Sequence, residues 1–389
     1  MKKILWVLPK NTFPVNDGAK KANYSLLKSL SFINKVDVLV FNENLENEIE
    51  YRAHFNLENI FYIPRPKYKS FLHKILILGL QFIRHPLLPI TASFFAKESV
   101  KKQVSKILMN QYDYIIFDGL HPYIGFMNQK LPKIIYRAHN VESDLWYTKA
   151  NKTKNKFYKL LLNWQGNKMK KLECDLLTAA HKIWTIANED KQVFSLSASA
   201  DKIRNIFVGL DFENNQKNCS NQKNTFMFLG KLDWEPNKDG LLWFLTNIWP
   251  KVDKEKSILK IAGSGQLGIL SEHIHQEGIE FLGLIKDVND IYSVADCSIV
   301  PIQYGSGTRI KVIESVSKMV PIISSSMGVQ GSGLDQEDYF HAKTEEDWIK
   351  IINEYKMTDG IQRAHRAREK LKPLYDSQTI ALSAYATLD

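Results

Sequence analysis

Apolar residues gather into short runs separated by longer stretches in which apolar and polar residues recur with helical spacing. The runs at 4–8, 36–41, 114–117, 134–137, 183–186, 226–229, 259–262, 279–282, 297–301 and 320–324 read as strands. Most are continuously apolar instead of alternating, as expected of parallel strands covered by helices on both faces. Between them, 21–32, 95–110, 156–179 and 241–249 have helical length and periodicity. This β-α rhythm runs through both halves of the chain and predicts an α/β protein built from doubly wound parallel sheets. In such sheets ligands bind at the carboxyl ends of the strands.

The stretch 211–224 (DFENNQKNCSNQKN) has no apolar period and marks the expected boundary. It divides 389 residues into Rossmann-like domains at 1–210 and 211–389, with a cleft between them. The last helix, about 371–389, is expected to pack back on the first domain. Cys174, Cys219 and Cys297 stand far apart with no C-x-x-C, which argues against a disulfide framework or a zinc site. The longest apolar stretch, 75–83, is far short of the ~20 residues a membrane span needs. The N-terminus has too short an apolar run for a signal peptide and reads as a first strand. These features lead us to expect a cytoplasmic chain.

Charge divides unevenly. The chain carries +10 overall, with 32 Lys and Arg against 17 Asp and Glu in residues 1–210 and 20 against 25 in the remainder. Only the first half is therefore suited to an anionic partner: nucleic acid, an acidic membrane or an anionic substrate. Within it, Arg65, Lys67, Lys69, Lys74, Arg84, Lys97, Lys101, Lys102 and Lys106 surround apolar blocks. Such interleaving suits the interface of an anionic membrane and equally a packed sheet edge with solvated lysines.

Two glycine-rich segments follow strands in the second half. GSGQLG at 263–268 matches the dinucleotide pattern, but the next strand, IEFLG, ends without the acidic residue that holds a ribose, so a tight turn explains it better. GSGTRIKVIE at 305–314 is the stronger signal. Gly305 and Gly307 permit close backbone approach, and Thr308 is placed to cap a helix. Arg309, Lys311 and the helix amides could bind phosphate oxygens, and Glu314 could accept sugar hydroxyls. Among the histidines, His139 and His121 both follow apolar strands at carboxyl ends, where functional residues collect.

With these motifs in order, the chain resembles a retaining glycosyltransferase of the GT-B fold, in the large family numbered 4 (group 1 glycosyltransferases). The similar segments are 17–30 (DGAKKANYSLLKSL), 136–143 (YRAHNVES), 207–211 (FVGLD, with valine for the family's asparagine), 228–245 (FLGKLDWEPNKDGLLWFL) and 305–331. The resemblance implies that Gly18 brings a backbone amide to the donor diphosphate, and that Lys231 and Lys238 stand where the family places its diphosphate-binding arginine and lysine. It implies that His139 lies near the transferred sugar and the acceptor hydroxyl. Glu314 matches the second glutamate of the Glu-x7-Glu pair, whose first glutamate is Ser306 here. Ser306, Gly307 and Thr308 fall on the donor sugar and nucleotide loop, with Arg309 and Lys311 on the diphosphate. His121, Asn140 and Glu142 are the weaker acceptor-side candidates.

The expected activity is transfer of a hexosyl or N-acetylhexosaminyl group from a UDP-, GDP- or ADP-sugar to a glycan or polyprenyl-linked acceptor. The resemblance places this in bacterial surface polysaccharide biosynthesis. The chain has no D-x-D sequence, so no metal or other cofactor is expected; cations and a helix N-terminus would offset the leaving group's charge. Peripheral contact with the inner face of the cell membrane is a further expectation, and nucleic acid is not an expected partner. An epimerase or hydrolase of the same fold is the nearest alternative, and a basic nucleic-acid-binding protein a remote one.

Overall fold

The computed structural model describes residues 1–13, 15, 18–42, 48–65, 70–212, 223–305 and 308–388. They form two compact units, Met1–Val208 with Ile380–Asp389, and Gly209–Thr379.

The first unit is built on seven parallel strands: β1 (Lys3–Leu8), β2 (Lys35–Asn42), β3 (Ile60–Pro64), β4 (Tyr114–Asp118), β5 (Lys133–Ala138), β6 (Lys182–Thr185) and β7 (Ile203–Asn205). Their order is β3-β2-β1-β4-β5-β6-β7, so the winding reverses between β1 and β4. The central strands are mostly apolar because successive side chains serve opposite cores. Leu5, Val7, Leu39, Phe41, Ile115 and Phe117 enter one core, and Ile4, Trp6, Val38, Val40, Tyr114 and Ile116 the other. The chain's end returns to this unit. Ile380, Ala384 and Leu388 join the second core, and Trp184 Nε1 donates to Thr387 Oγ1 at 3.0 Å.

The second unit has β8 (Asn224–Leu229), β9 (Ser257–Ala262), β10 (Ile279–Gly283), β11 (Cys297–Val300), β12 (Ile322–Ser324) and β13 (Phe340–His341), ordered β10-β9-β8-β11-β12-β13 and all parallel. Phe226, Phe228, Leu259, Ile261, Cys297 and Ile299 fill the core on one face. Every strand expected from the apolar runs is present, and β3, β7 and β13 are additional. The helix expected at 241–249 starts earlier. It runs Glu235–Trp243 and continues as a wider-wound turn over Phe244–Ile248, because Pro236 favours the first helical turn. The expected 95–110 helix is broken at Lys97 into a 3-10 turn, Ser93–Ala96, and the helix Glu98–Leu108. Among the described residues, no helix is long and apolar enough to cross a membrane.

Candidate functional site

In the first unit, a polar cluster stands at the carboxyl ends of β1, β4 and β5, beside the point where the winding reverses. Asp118 ends β4, and the strand register sets it next to Arg137 on β5. Both are fully buried, 3.3 Å apart from Arg137 Nη1 to Asp118 Oδ1. The same nitrogen donates to Asn23 Oδ1 at 2.7 Å, and Trp6 Nε1 donates to Asp118 Oδ2 at 3.4 Å. Asn23 lies in the second turn of the helix Gly18–Ile33, so Gly18 opens the helix that reaches this cluster. His139, immediately beyond β5, directs Nε2 to Asp118 Oδ1. Burial pushes the Asp118 carboxyl up, but His139 and Arg137 beside it hold it below the usual carboxylate range.

An ionised carboxylate only accepts hydrogen bonds, so the His139 nitrogen that meets it, Nε2, is the donor. Among the described residues, His139 Nδ1 and Arg137 Nε and Nη2 find no hydrogen-bond partner. The arrangement is an oriented imidazole with a bare nitrogen.

The other N-terminal candidates divide. His121 bonds Thr91 Oγ1 at 3.1 Å, and burial pushes its pKa down to about 4, so it is neutral at physiological pH. Asn140 is exposed in the bend after β5. Glu142 starts the helix Glu142–Lys152, and its backbone N–H donates to Glu173 Oε1 at 2.9 Å. Burial and their mutual repulsion push Glu142 up to about 7, and burial does the same to Glu173.

In the second unit, the loop after β11 and the helix Ile310–Ser317 carry the candidates together. Arg309 is buried, with its guanidinium 5.8 Å from the Trp234 ring. Lys311 Nζ donates to Asn237 Oδ1 at 2.8 Å and lies 4.4 Å from the Phe228 ring. Asn237 Nδ2 in turn donates to the backbone carbonyl of Lys231 at 2.9 Å. Gly230 makes this stacking possible, since a Cβ there would stand 2.6 Å from Asn237 Nδ2 and 3.1 Å from Lys311 Nζ. Gly305 has φ +115°, in the region that favours glycine, and a Cβ there would crowd Arg309 Nη2. Desolvation, followed by the charge of Arg309, lowers the Lys311 ammonium to about 7. Glu314 is buried within the same helix and accepts from Tyr292 Oη at 3.2 Å.

One expectation changes here, and two other candidates lie at the edge of the cluster. Thr308 does not cap the helix: its hydroxyl donates to the Gly331 carbonyl at 3.1 Å, and Arg309 occupies the cap position without a side-chain capping bond. Lys238 lies 3.8 Å from Asp239, and it is the neighbouring Asn237 that meets Lys311. Lys231 is exposed, 3.4 Å from Asp233 Oδ1, and reaches the cluster only through its backbone carbonyl. Ser306 and Gly307 lie outside the described residues.

The sequence reading did not single out Asp118, Arg137, Asn23, Asn237 or Tyr292. Arg137 offered a signal, being a charged residue inside an otherwise apolar strand, which requires a buried partner. An open cleft of about 440 Å³ lies at the ends of β11 to β13, lined by Trp243, Gln303, Ser325, Met327, His341 and Trp348. None of the expected site residues lines it.

Residues 223–355 match the family model for glycosyl transferases group 1. The matched stretch lies within the second unit and contains Lys231, Arg309, Lys311 and Glu314. Over 406 aligned residues the chain is 24% identical to a Klebsiella pneumoniae chain described as an uncharacterized 44.6 kDa protein in the cps region, covering 99% of each. The fold is that of GT-B glycosyltransferases. A crystal structure of Anabaena Alr3699/HepE with UDP and glucose superposes with a TM-score of 0.70 at 15% identity, covering 100% of this chain and 99% of that one. The crystal structure of TarM gives 0.72 at 10% identity, covering 100% and 99%.

Proposed function

We propose that this glycosyltransferase moves a sugar, with retention at the anomeric carbon, from a nucleotide diphosphate donor to a glycan or lipid-linked acceptor. The observation that carries the reading is the buried Arg309 beside the half-buried Lys311, which lies over Gly230 and bonds Asn237, with the buried Glu314 on the same helix. Two cations held in a desolvated setting suit a diphosphate, and a buried carboxylate suits ribose hydroxyls. The second unit binds the donor and the first the acceptor. The Anabaena neighbour was crystallised with UDP, which supports a uridine donor within the UDP, GDP and ADP panel. The cps-region setting of the Klebsiella relative supports a role in surface polysaccharide assembly.

In the proposed reaction, the acceptor oxygen bonds the anomeric carbon on the face from which the diphosphate leaves. The acceptor proton passes to the departing phosphate oxygen. His139, with Nδ1 bare and Nε2 fixed by Asp118, orients the acceptor hydroxyl or the sugar. Arg309 and Lys311 offset the leaving charge, and no metal takes part.

The test is to incubate the chain with UDP-, GDP- and ADP-sugars and an acceptor panel, with and without chelator, and follow the anomeric coupling by NMR. Transfer with retained configuration, unaffected by chelator, is expected. Inverted product or a strict magnesium requirement contradicts the mechanism. Free sugar or an altered nucleotide sugar formed without acceptor would support the hydrolase or epimerase reading.

A further inference from the structure

The helix Lys156–Ala179 has two apolar faces, and only one is buried. Met169, Leu172 and Leu176 enter the core of the first unit, and Leu162 is buried on the same face. Phe157, Leu160, Leu161 and Trp164 recur at helical spacing on another face, and all are exposed, Phe157 at 79% and Leu160 at 70%. From residue 154 to residue 161 every position is exposed, so the first two turns project from the unit. No Asp or Glu occurs between Asp144 and Glu173, while Lys149, Lys152, Lys154, Lys156 and Lys159 cluster around the projecting end.

A second exposed apolar edge lies in the same unit. Leu76, Leu80, Ile83 and Leu87 are exposed along and just beyond the helix Phe71–Arg84. The backbone N–H of Ile90, three residues after Leu87, donates at 2.9 Å to Gln165, the neighbour of Trp164. That bond ties the segment after the helix Phe71–Arg84 to the helix Lys156–Ala179. By contrast, several cations between 64 and 106 are engaged within the protein. Arg65 donates to the Pro9 carbonyl at 3.4 Å, Lys97 lies 5.2 Å from the Phe94 ring, and Lys101 pairs with Glu98 at 2.8 Å. Lys67 and Lys69 lie outside the described residues.

We infer that the projecting end of the helix Lys156–Ala179 is the docking surface for an anionic lipid bilayer, with Phe157, Leu160, Leu161 and Trp164 entering the headgroup–acyl boundary. Charge complementarity selects this occupant. A second copy would bring two lysine clusters together, whereas an anionic leaflet offsets them while the apolar side chains leave water. Tryptophan and lysine at one level are the residue types that settle at this boundary. The inference sharpens the lipid-linked branch of the proposed function and names its surface, but it stands on exposure and charge alone.

The test uses the full chain, sedimented with vesicles of phosphatidylcholine alone or mixed with phosphatidylglycerol, over a salt series. Binding only to the mixed vesicles, weakening as salt rises, is expected. The double variant Phe157→Ser, Leu160→Ser should lose about tenfold per side chain, and Lys154→Gln, Lys156→Gln, Lys159→Gln about fivefold per lysine. Lys101→Gln with Lys102→Gln should change binding less than twofold. Unchanged binding in the Phe157 and Leu160 variant, or equal loss in the Lys101 and Lys102 variant, overturns the assignment. So does a stable dimer by sedimentation velocity that the apolar variant dissolves. UDP titration separates the two readings, since a wild-type chain that binds nucleotide but no vesicles rejects only the docking surface, and a variant that keeps nucleotide binding has lost vesicle binding without misfolding.

Discussion

Each unit buries an arginine at its strand ends, and the two arginines sit in opposite electrostatic settings. Arg137 lies against Asp118, and His139 shares the same carboxylate, so the N-terminal cluster is balanced within the protein. Arg309 lies close enough to Lys311 to lower its pKa to about 7, so like charges are held together in the C-terminal cluster. Holding like charges close together costs stability, and a bound anion offsets that cost. The first arrangement orients a histidine, and in the proposed function the second receives the donor's diphosphate. A buried charge thus says little by itself about function, whereas the sign of its neighbours says a good deal.

The largest expected effect follows from breaking the balanced cluster. Asp118→Ala leaves Arg137 buried without its counter-charge and should cost about 3–5 kcal/mol of stability. Chemical denaturation of wild type and variant measures this, and a loss under about 1 kcal/mol would remove the pair from the account. Glu314→Gln should act on the ligand instead. Losing charge-assisted bonds to ribose should weaken UDP binding by roughly tenfold to a hundredfold, with the melting temperature little changed. Equal affinity in the folded variant would exclude Glu314 from the site.

A pH series sharpens the contrast further. Lys311 is half protonated near pH 7 in the free protein, and a bound diphosphate favours its charged form. Affinity for UDP should therefore fall as pH rises above 7, by up to about tenfold per unit. Lys311→Gln should bind weakly with a flat profile across the same range. The smallest effect concerns Glu142 and Glu173. Both have folded pKa values raised to about 7, above their unfolded values, so the folded state holds protons more tightly. The associated stability is present at low pH and is lost as pH rises through 7. Melting temperature should drop from pH 5 to pH 8, and Glu142→Gln should remove much of that drop, worth about 1 kcal/mol. A flat wild-type profile would contradict the raised values.

Much of this was legible in the sequence because it rests on local patterns. The parallel sheets followed from continuous apolar runs, and the 305–314 segment announced itself by glycine, cation and carboxylate within ten residues. The edge strands β3, β7 and β13 escaped because they are short, or only half-buried, and so carry a weaker apolar signal. The partnerships escaped because they join distant positions. Asp118 and Arg137 meet only through strand register, and Asn237 reaches Lys311 only because Gly230 lacks a side chain. Thr308 reads as a cap from its neighbours in sequence, but Gly331, 23 residues away, takes its hydroxyl.

The central claim is that Arg309 and Lys311 form a diphosphate site, and calorimetry tests it most directly. UDP and uridine are titrated into wild type, Arg309→Gln and Lys311→Gln in the presence of chelator, in two buffers of different ionisation enthalpy. The account predicts that UDP binds wild type without metal, far more tightly than uridine, and takes up protons near pH 7.5. It predicts that each variant loses the advantage of UDP over uridine, and that Lys311→Gln also loses the proton uptake. UDP binding that requires magnesium, or equal losses for UDP and uridine in both variants, would contradict it.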